Sequence, residues 1–167
     1  MTNEKIEEIK QICIEYLLVP FESYAKKLPN GDCMAYPDPA GKNGLPITIG
    51  YGSTYDEFGN SVKMGDIWTH EKAVRVKSLV LNKFINDLFS MSPGLFNEPS
   101  KRIAAVLSWV YNCGSGNYRI STFRKKINDK DWIAAAEECM KWNKANGQIL
   151  KGLTRRRRAE ALMILNA

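Results

Sequence analysis

Residues 29–66 lie between two long helical patterns and are broken by Pro29, Asn30-Gly31, Pro37, Pro39, Gly41, Gly44, Pro46, Gly50, Gly52 and Gly59. Proline removes a ladder donor and glycine weakens a strand interior. No run here is long enough for a parallel sheet or a dinucleotide-binding unit. Short pieces such as "ITIGYG" (47–52) and "NSVKMG" (60–65) suit a small antiparallel sheet with tight turns.

The flanks read differently. In the first helix, over residues 3–19, Ile6, Ile9, Cys13, Tyr16 and Leu17 share a stripe. Thr2 or Asn3 caps it, Glu4 suits its positive start, and Pro20 ends it. Phe21 and Glu22 then stand at its exit. Thr69 opens a second helix, about 69–90, with Ala73, Val76, Val80, Phe84 and Leu88 at helical spacing and "SMSPG" as its stop. About twenty residues reach about 30 Å, enough to connect two lobes. Further on, Ile103, Val106, Leu107 and Val110 line a helix ending at Gly114, and Thr122–Ile127 make a short one. Asp129 or Asp131 caps "WIAAAEECMKW", Gly147 marks a break, and Thr154 caps "RRRRAEALMIL". The expected class is α+β, one domain over 1–167. A small β-rich lobe (about 21–66) and a larger helical lobe (about 99–167 with the helix 3–19) are joined by the long connecting helix.

Composition narrows the chemistry. The chain has 167 residues, 44% hydrophobic and 25% charged, ordinary globular values that do not indicate disorder. Four cysteines lie far apart and there is one histidine, so no zinc cluster is expected. The thiols read as free, mostly buried, in a reducing compartment. "MTNEKIEEIK" has no apolar signal-peptide core, and no run approaches a membrane span. The net charge of +6 favours polyanions: nucleic acid, acidic lipid or an acidic cell-wall polymer.

Three polar residues stand in or beside the breakable region: Glu22, Asp38 and Thr48. Glycosidic hydrolysis needs an acid for the leaving oxygen and a second group that attacks the anomeric carbon or prepares a water. One carboxyl must be held protonated by an apolar setting while the other stays ionised. Glu22, with Phe21 beside it, is placed for the first role. Asp38, between two prolines on a polar loop, is placed for the second. Thr48 can hold a water. From the residues alone, a single Glu or Asp is more often a solvated surface group, and that reading stands beside this one.

The segment "FES…AYPDPAGKNGLPITIGYGST" resembles the active-site segment of the phage-type lysozymes, the muramidases of glycoside hydrolase family 24. "GDIWTHEKA", "VLSWVYNCGSGNY" and "AAAEECMKWNKANGQILKGLTRRRRAE" resemble the family's entry to its connecting helix, the opening of its helical lobe and its closing signature. The resemblance covers nearly the whole chain in order. It implies a lysozyme-like fold and an endolysin that cleaves the β-1,4 bond between N-acetylmuramic acid and N-acetylglucosamine in peptidoglycan. Glu22 would be the general acid, Asp38 would orient or activate water, and Thr48 would help hold it, with inversion at the anomeric carbon. Tyr111 and Thr122 match positions that bind substrate in a cleft between the lobes. No cofactor or metal is implied, nor nucleic-acid binding or membrane insertion, and the chain would be a monomer. It would accumulate in the host cytoplasm and reach the wall with a separate membrane-permeabilising protein.

Two features depart from the family pattern. "AKKLPNGDCM" lengthens the connection between the carboxyls, so Asp32 competes with Asp38. Ser53 stands where many members have histidine. A lytic transglycosylase, a chitinase-like glycosidase and a non-catalytic wall-glycan binder are the rival functions.

Other features read as structural. On a helix, Arg155–Arg158 point around the circumference, and Arg156 can pair with Glu160. His70 reads as a solvated first-turn residue, and Trp68, Trp109, Trp132 and Trp142 as core. "GYGST" lacks the lysine and following helix of a phosphate loop.

Overall fold

A computed structural model describes residues 2–22, 26–38 and 42–167. Pro39 and Gly41, two of the expected turn residues, and Ser23 of "FES" lie outside them. The chain forms two compact units, Glu22–Val80 and Met1–Phe21 with Leu81–Ala167.

In the second unit helix α1 spans Asn3–Ile12, and the Thr2 side chain accepts from the Lys5 N–H at its start. Its winding then widens into a π-helical stretch, Cys13–Leu18, with the Val19 N–H bonded to the Ile14 carbonyl. Each residue of a π turn advances less around the axis. The expected stripe therefore shifts: Ile9, Cys13 and Leu17 are buried, Ile14 and Leu18 join them, and Tyr16 is 59% exposed.

Helices α3 (Ser100–Cys113), α4 (Ser115–Ile120), α5 (Thr122–Asn128), α6 (Trp132–Met140) and α7 (Lys151–Leu165) belong to this unit. Of the two candidate caps for α6, Asp131 accepts from the Ala134 N–H. Thr154 does not cap α7. That helix begins three residues earlier, and the Thr154 hydroxyl donates back to the Leu150 carbonyl. Ahead of it, Lys144–Ala145 and Gln148–Ile149 pair as a small hairpin across Asn146-Gly147. Both turn residues take positive φ, 50° and 77°, the left-handed geometry that suits a two-residue hairpin turn.

The core gathers Trp109, Tyr118 and Phe123, all fully buried, with Trp142 edge-on to Trp109. Trp132 is only half-buried, under the Arg102 guanidinium. Arg155 and Arg158 face solvent, whereas Arg156 and Arg157 are buried around the fully buried Glu160. Their Nε atoms lie 3.2 and 2.9 Å from its two oxygens.

The first unit carries two short antiparallel ribbons. Strand β1 (Cys33–Met34) pairs with β4 (Ile67–Trp68), and β2 (Tyr36–Pro37) with β3 (Ile47–Thr48). "NSVKMG" contributes an isolated bridge, Ser61 to Tyr55, rather than a strand. Helix α2, His70–Met91, starts here, capped by the Thr69 hydroxyl on the Lys72 N–H. Its buried residues include Ala73, Val76, Lys77, Leu81, Ile85 and Leu88. Val80, expected on that face, is 42% exposed, and the face passes through Lys77 instead. Cys13, Cys33 and Cys139 are buried, Cys113 is partly so, and all four are free thiols.

Candidate functional site

The ribbon β2–β3 positions two of the three candidates. Its register sets Tyr36 opposite Thr48 and Pro37 opposite Ile47, and the Asp38 N–H then donates to the Pro46 carbonyl at 3.1 Å. Successive side chains alternate between faces, so Asp38 shares a face with Tyr36 and with its partner Thr48. Asp38 is half-buried. Thr48 is 5% exposed, and its hydroxyl donates to the Tyr36 carbonyl at 3.3 Å. A hydroxyl has one proton and two acceptor lone pairs, so Thr48 retains acceptor capacity. The competing Asp32 is engaged in its own turn, where Asn30 Nδ2 donates to its carboxylate at 2.8 Å.

Beyond β3 the chain reverses. Ile49 and Ser53 exchange backbone hydrogen bonds of 2.9 and 3.0 Å, so the turn around Ser53 is held by main chain. Gly50 has φ 59°, and a Cβ there would sit 2.9 Å from the Ala73 Cβ. Only glycine lets this turn press so closely on α2.

Tyr51 is then anchored at both ends by that helix. Its hydroxyl lies 2.9 Å from His70 Nε2, and its carbonyl accepts from Lys77 Nζ at 2.5 Å. His70 and Lys77 are seven residues apart, close to two helical turns, and so share a face. His70 is exposed, as expected, but it also meets Tyr51. Burial pushes the Tyr51 hydroxyl's pKa up, with a smaller upward push from Cys33.

The surroundings of Glu22 differ from the expectation. The neighbouring Phe21 predicts an apolar setting. The structure sets an ammonium against it instead: Lys77 Nζ is 3.0 Å from Glu22 Oε2, with the Lys77 side chain 3% exposed. Lys77 is a partner of Glu22 that the sequence reading does not name. A signal was present, since Lys77 stands four residues after Ala73 on the buried face of α2.

Tyr111 and Thr122 belong to the other unit. Tyr111 on α3 is half-buried and edge-on to Phe84, with ring centroids 5.3 Å apart. Thr122 is the exposed first residue of α5. Among the described residues, no group of three or more His, Cys, Asp or Glu could hold a metal ion. Nor is any of their helices long and apolar enough to cross a membrane.

These two units define a lysozyme-like fold. The endolysin from Escherichia coli O157:H7 phage FAHEc1 superposes with a TM-score of 0.71 at 28% identity, over 99% of this chain and 92% of that one. The phage lysozyme family model matches residues 30–160, and the chain belongs to that family. It is 32% identical to the SAR-endolysin of bacteriophage PS119 over 68% of this chain, and 29% identical to the endolysin of Bacillus phage B103 over 71%. The matches span 65% and 43% of those two relatives' lengths.

Proposed function

We propose that this protein is an endolysin that hydrolyses the β-1,4 bond between N-acetylmuramic acid and N-acetylglucosamine in peptidoglycan. The observation that carries the reading is one connected arrangement. Asp38 and Thr48 share a face of the β2–β3 ribbon, and the turn following that ribbon is joined to Glu22 through one lysine. Family membership supports it.

In this reading Glu22 is the general acid that protonates the leaving glycosidic oxygen. Asp38 orients or activates the attacking water and stabilises positive charge developing at the anomeric carbon. Thr48 supports that water as an acceptor, since its own proton is committed to Tyr36. The water is thus held through a hydrogen, with its lone pair turned outward. The outcome is inversion, which requires carboxyls about 6.5–9.5 Å apart. Asp38 takes the aspartate role rather than Asp32, whose carboxylate is engaged by Asn30.

Tyr111 and Thr122 contact the glycan. The protein acts as a monomer, without membrane insertion or a nucleic-acid partner. Burial of Arg156 and Arg157 supports the last point, because it removes half of the arginine run from the surface. The chain reaches the wall through a separate membrane-permeabilising protein.

The test is clearing of purified peptidoglycan, followed by mass spectrometry of the fragments. Hydrolysis gives reducing ends, and Glu22→Gln loses clearing while its circular dichroism stays that of the parent. Anhydro-muramic ends would overturn the reading in favour of a lytic transglycosylase. Failure of the parent to cleave the glycan would leave a binder.

A further inference from the structure

We infer that Lys77 is the positioning residue of this site: it fixes which oxygen of Glu22 carries the proton, and it ties that oxygen to the turn behind Thr48. The inference rests on Glu22 being the acid proposed above.

The ammonium is buried and meets two separate segments, Glu22 Oε2 at 3.0 Å and the Tyr51 carbonyl at 2.5 Å. A buried charge is tolerated only when paired and hydrogen-bonded. Keeping a lysine at this point of an apolar helix face therefore needs a reason, and the two partners supply one. An ammonium has three donors and no acceptor capacity. The oxygen that faces it must accept, so it cannot also present a hydroxyl proton there. When Glu22 is protonated, the proton consequently sits on Oε1. Lys77 thereby converts a carboxyl with two equivalent oxygens into a donor with one defined end.

The second contact sets where that end lies. The Tyr51 carbonyl belongs to the turn closed by Ile49 and Ser53, directly after the strand that carries Thr48. The same tyrosine is held at its hydroxyl by His70. Glu22 and the Thr48 strand are thus both referred to one helix, with the Lys77 ammonium common to them.

The experiment compares Lys77→Met, Lys77→Gln, Tyr51→Phe and Glu22→Gln on soluble peptidoglycan oligomers, with thermal unfolding in parallel. Loss of positioning lowers kcat of Lys77→Met by about 10–100-fold with KM unchanged. Lys77→Gln, which keeps a donor but no charge, recovers part of that loss. Tyr51→Phe loses the His70 contact but keeps the carbonyl that Lys77 holds, so it lowers kcat less than Lys77→Met does. In a stability cycle, Lys77→Met and Glu22→Gln are less than additive, as for two groups in contact.

A Lys77→Met protein that folds and keeps kcat within twofold overturns the inference. So does a Lys77→Met protein whose fall in kcat is no larger than its loss of folded protein. If Lys77→Met does not fold, a folded Lys77→Gln with kcat partly lowered and KM unchanged supports the positioning role, and one with the parent's kcat overturns it. Glu22→Gln separates the two readings. If it retains full clearing, the acid assignment itself fails. If it is inactive while Lys77→Met is fully active, only the positioning role fails.

Discussion

Ser108 and Glu160 lie 52 residues apart in the chain, yet the serine hydroxyl donates to the glutamate carboxylate at 2.6 Å in the interior of the helical unit. Arg156 and Arg157 close on the same carboxylate, and Arg157 reaches on to Asn112 Oδ1 at 2.8 Å. Burial pushes the Glu160 pKa up, while the guanidiniums of Arg157 and Arg156 and the Ser108 hydroxyl act against it. Removing the carboxylate would leave two buried guanidiniums without their counter-charge. Glu160→Ala is therefore expected to cost about 3–5 kcal/mol of stability, measured by denaturant unfolding. A loss below about 1 kcal/mol would show that the cluster contributes little.

Glu98 gives the pH prediction. Burial pushes its carboxyl up, but hydrogen bonds and charge from Lys130 and Arg102, at 2.9 and 2.7 Å, outweigh it and leave the pKa below the ordinary 4.5. A carboxyl lowered on folding stabilises the native state above its unfolded pKa. That contribution disappears as pH falls through the folded value. The parent should be more stable than Glu98→Gln at pH 7, and the two should converge on acidification below 4.5. A gap in melting temperature that is the same at pH 7 and about pH 2 would contradict this.

Gly50→Ala tests the close approach of the turn to α2. The new Cβ would meet Ala73 at 2.9 Å while the backbone holds φ 59°. Both effects destabilise, so a loss of more than about 1 kcal/mol is expected in chemical denaturation. Gly52, also at positive φ but with nothing near its added Cβ, supplies the control. Gly52→Ala should cost less.

Thr48→Val keeps the volume and branching of the side chain and removes the hydroxyl. If the hydroxyl supports the attacking water, kcat on peptidoglycan falls on the order of 10–100-fold, and Thr48→Ser recovers much of it. Equal activity in the valine and serine variants would limit Thr48 to a strand-packing role.

Much of the helical framework was readable because its signals are local. Thr2, Thr69 and Asp131 each cap the helix they precede, a relation that needs only three residues of sequence. The Arg156–Glu160 pair was readable from helical spacing. Thr154 failed as a cap because its hydroxyl had a competing acceptor one turn back, inside a helix that began earlier. The hairpin at 144–149 carried an Asn-Gly signal, but flanking strands of two residues each give no alternating pattern to read.

The candidate site divides in the same way. Thr48 lies in "ITIGYG", a piece the sequence marks as strand-forming, whereas Asp38, expected on a loop, directly follows strand β2. For Lys77 the residue type points the wrong way, since a lysine on a helix normally faces water. Its spacing from Ala73 marks the buried face, but its partners Glu22 and Tyr51 lie 55 and 26 residues away in sequence, outside any local window.

The widened winding of Cys13–Leu18 has a consequence for how the first helix tolerates change in length. It holds one residue of slack. Excising the outward-facing Tyr16 would move Leu17 and Leu18 into the two places that ordinary α pitch assigns to the buried side, beneath Ile9 and Cys13. The helix could then shorten by a residue and keep its apolar seam, whereas an added residue there would find no loose coil to take it up.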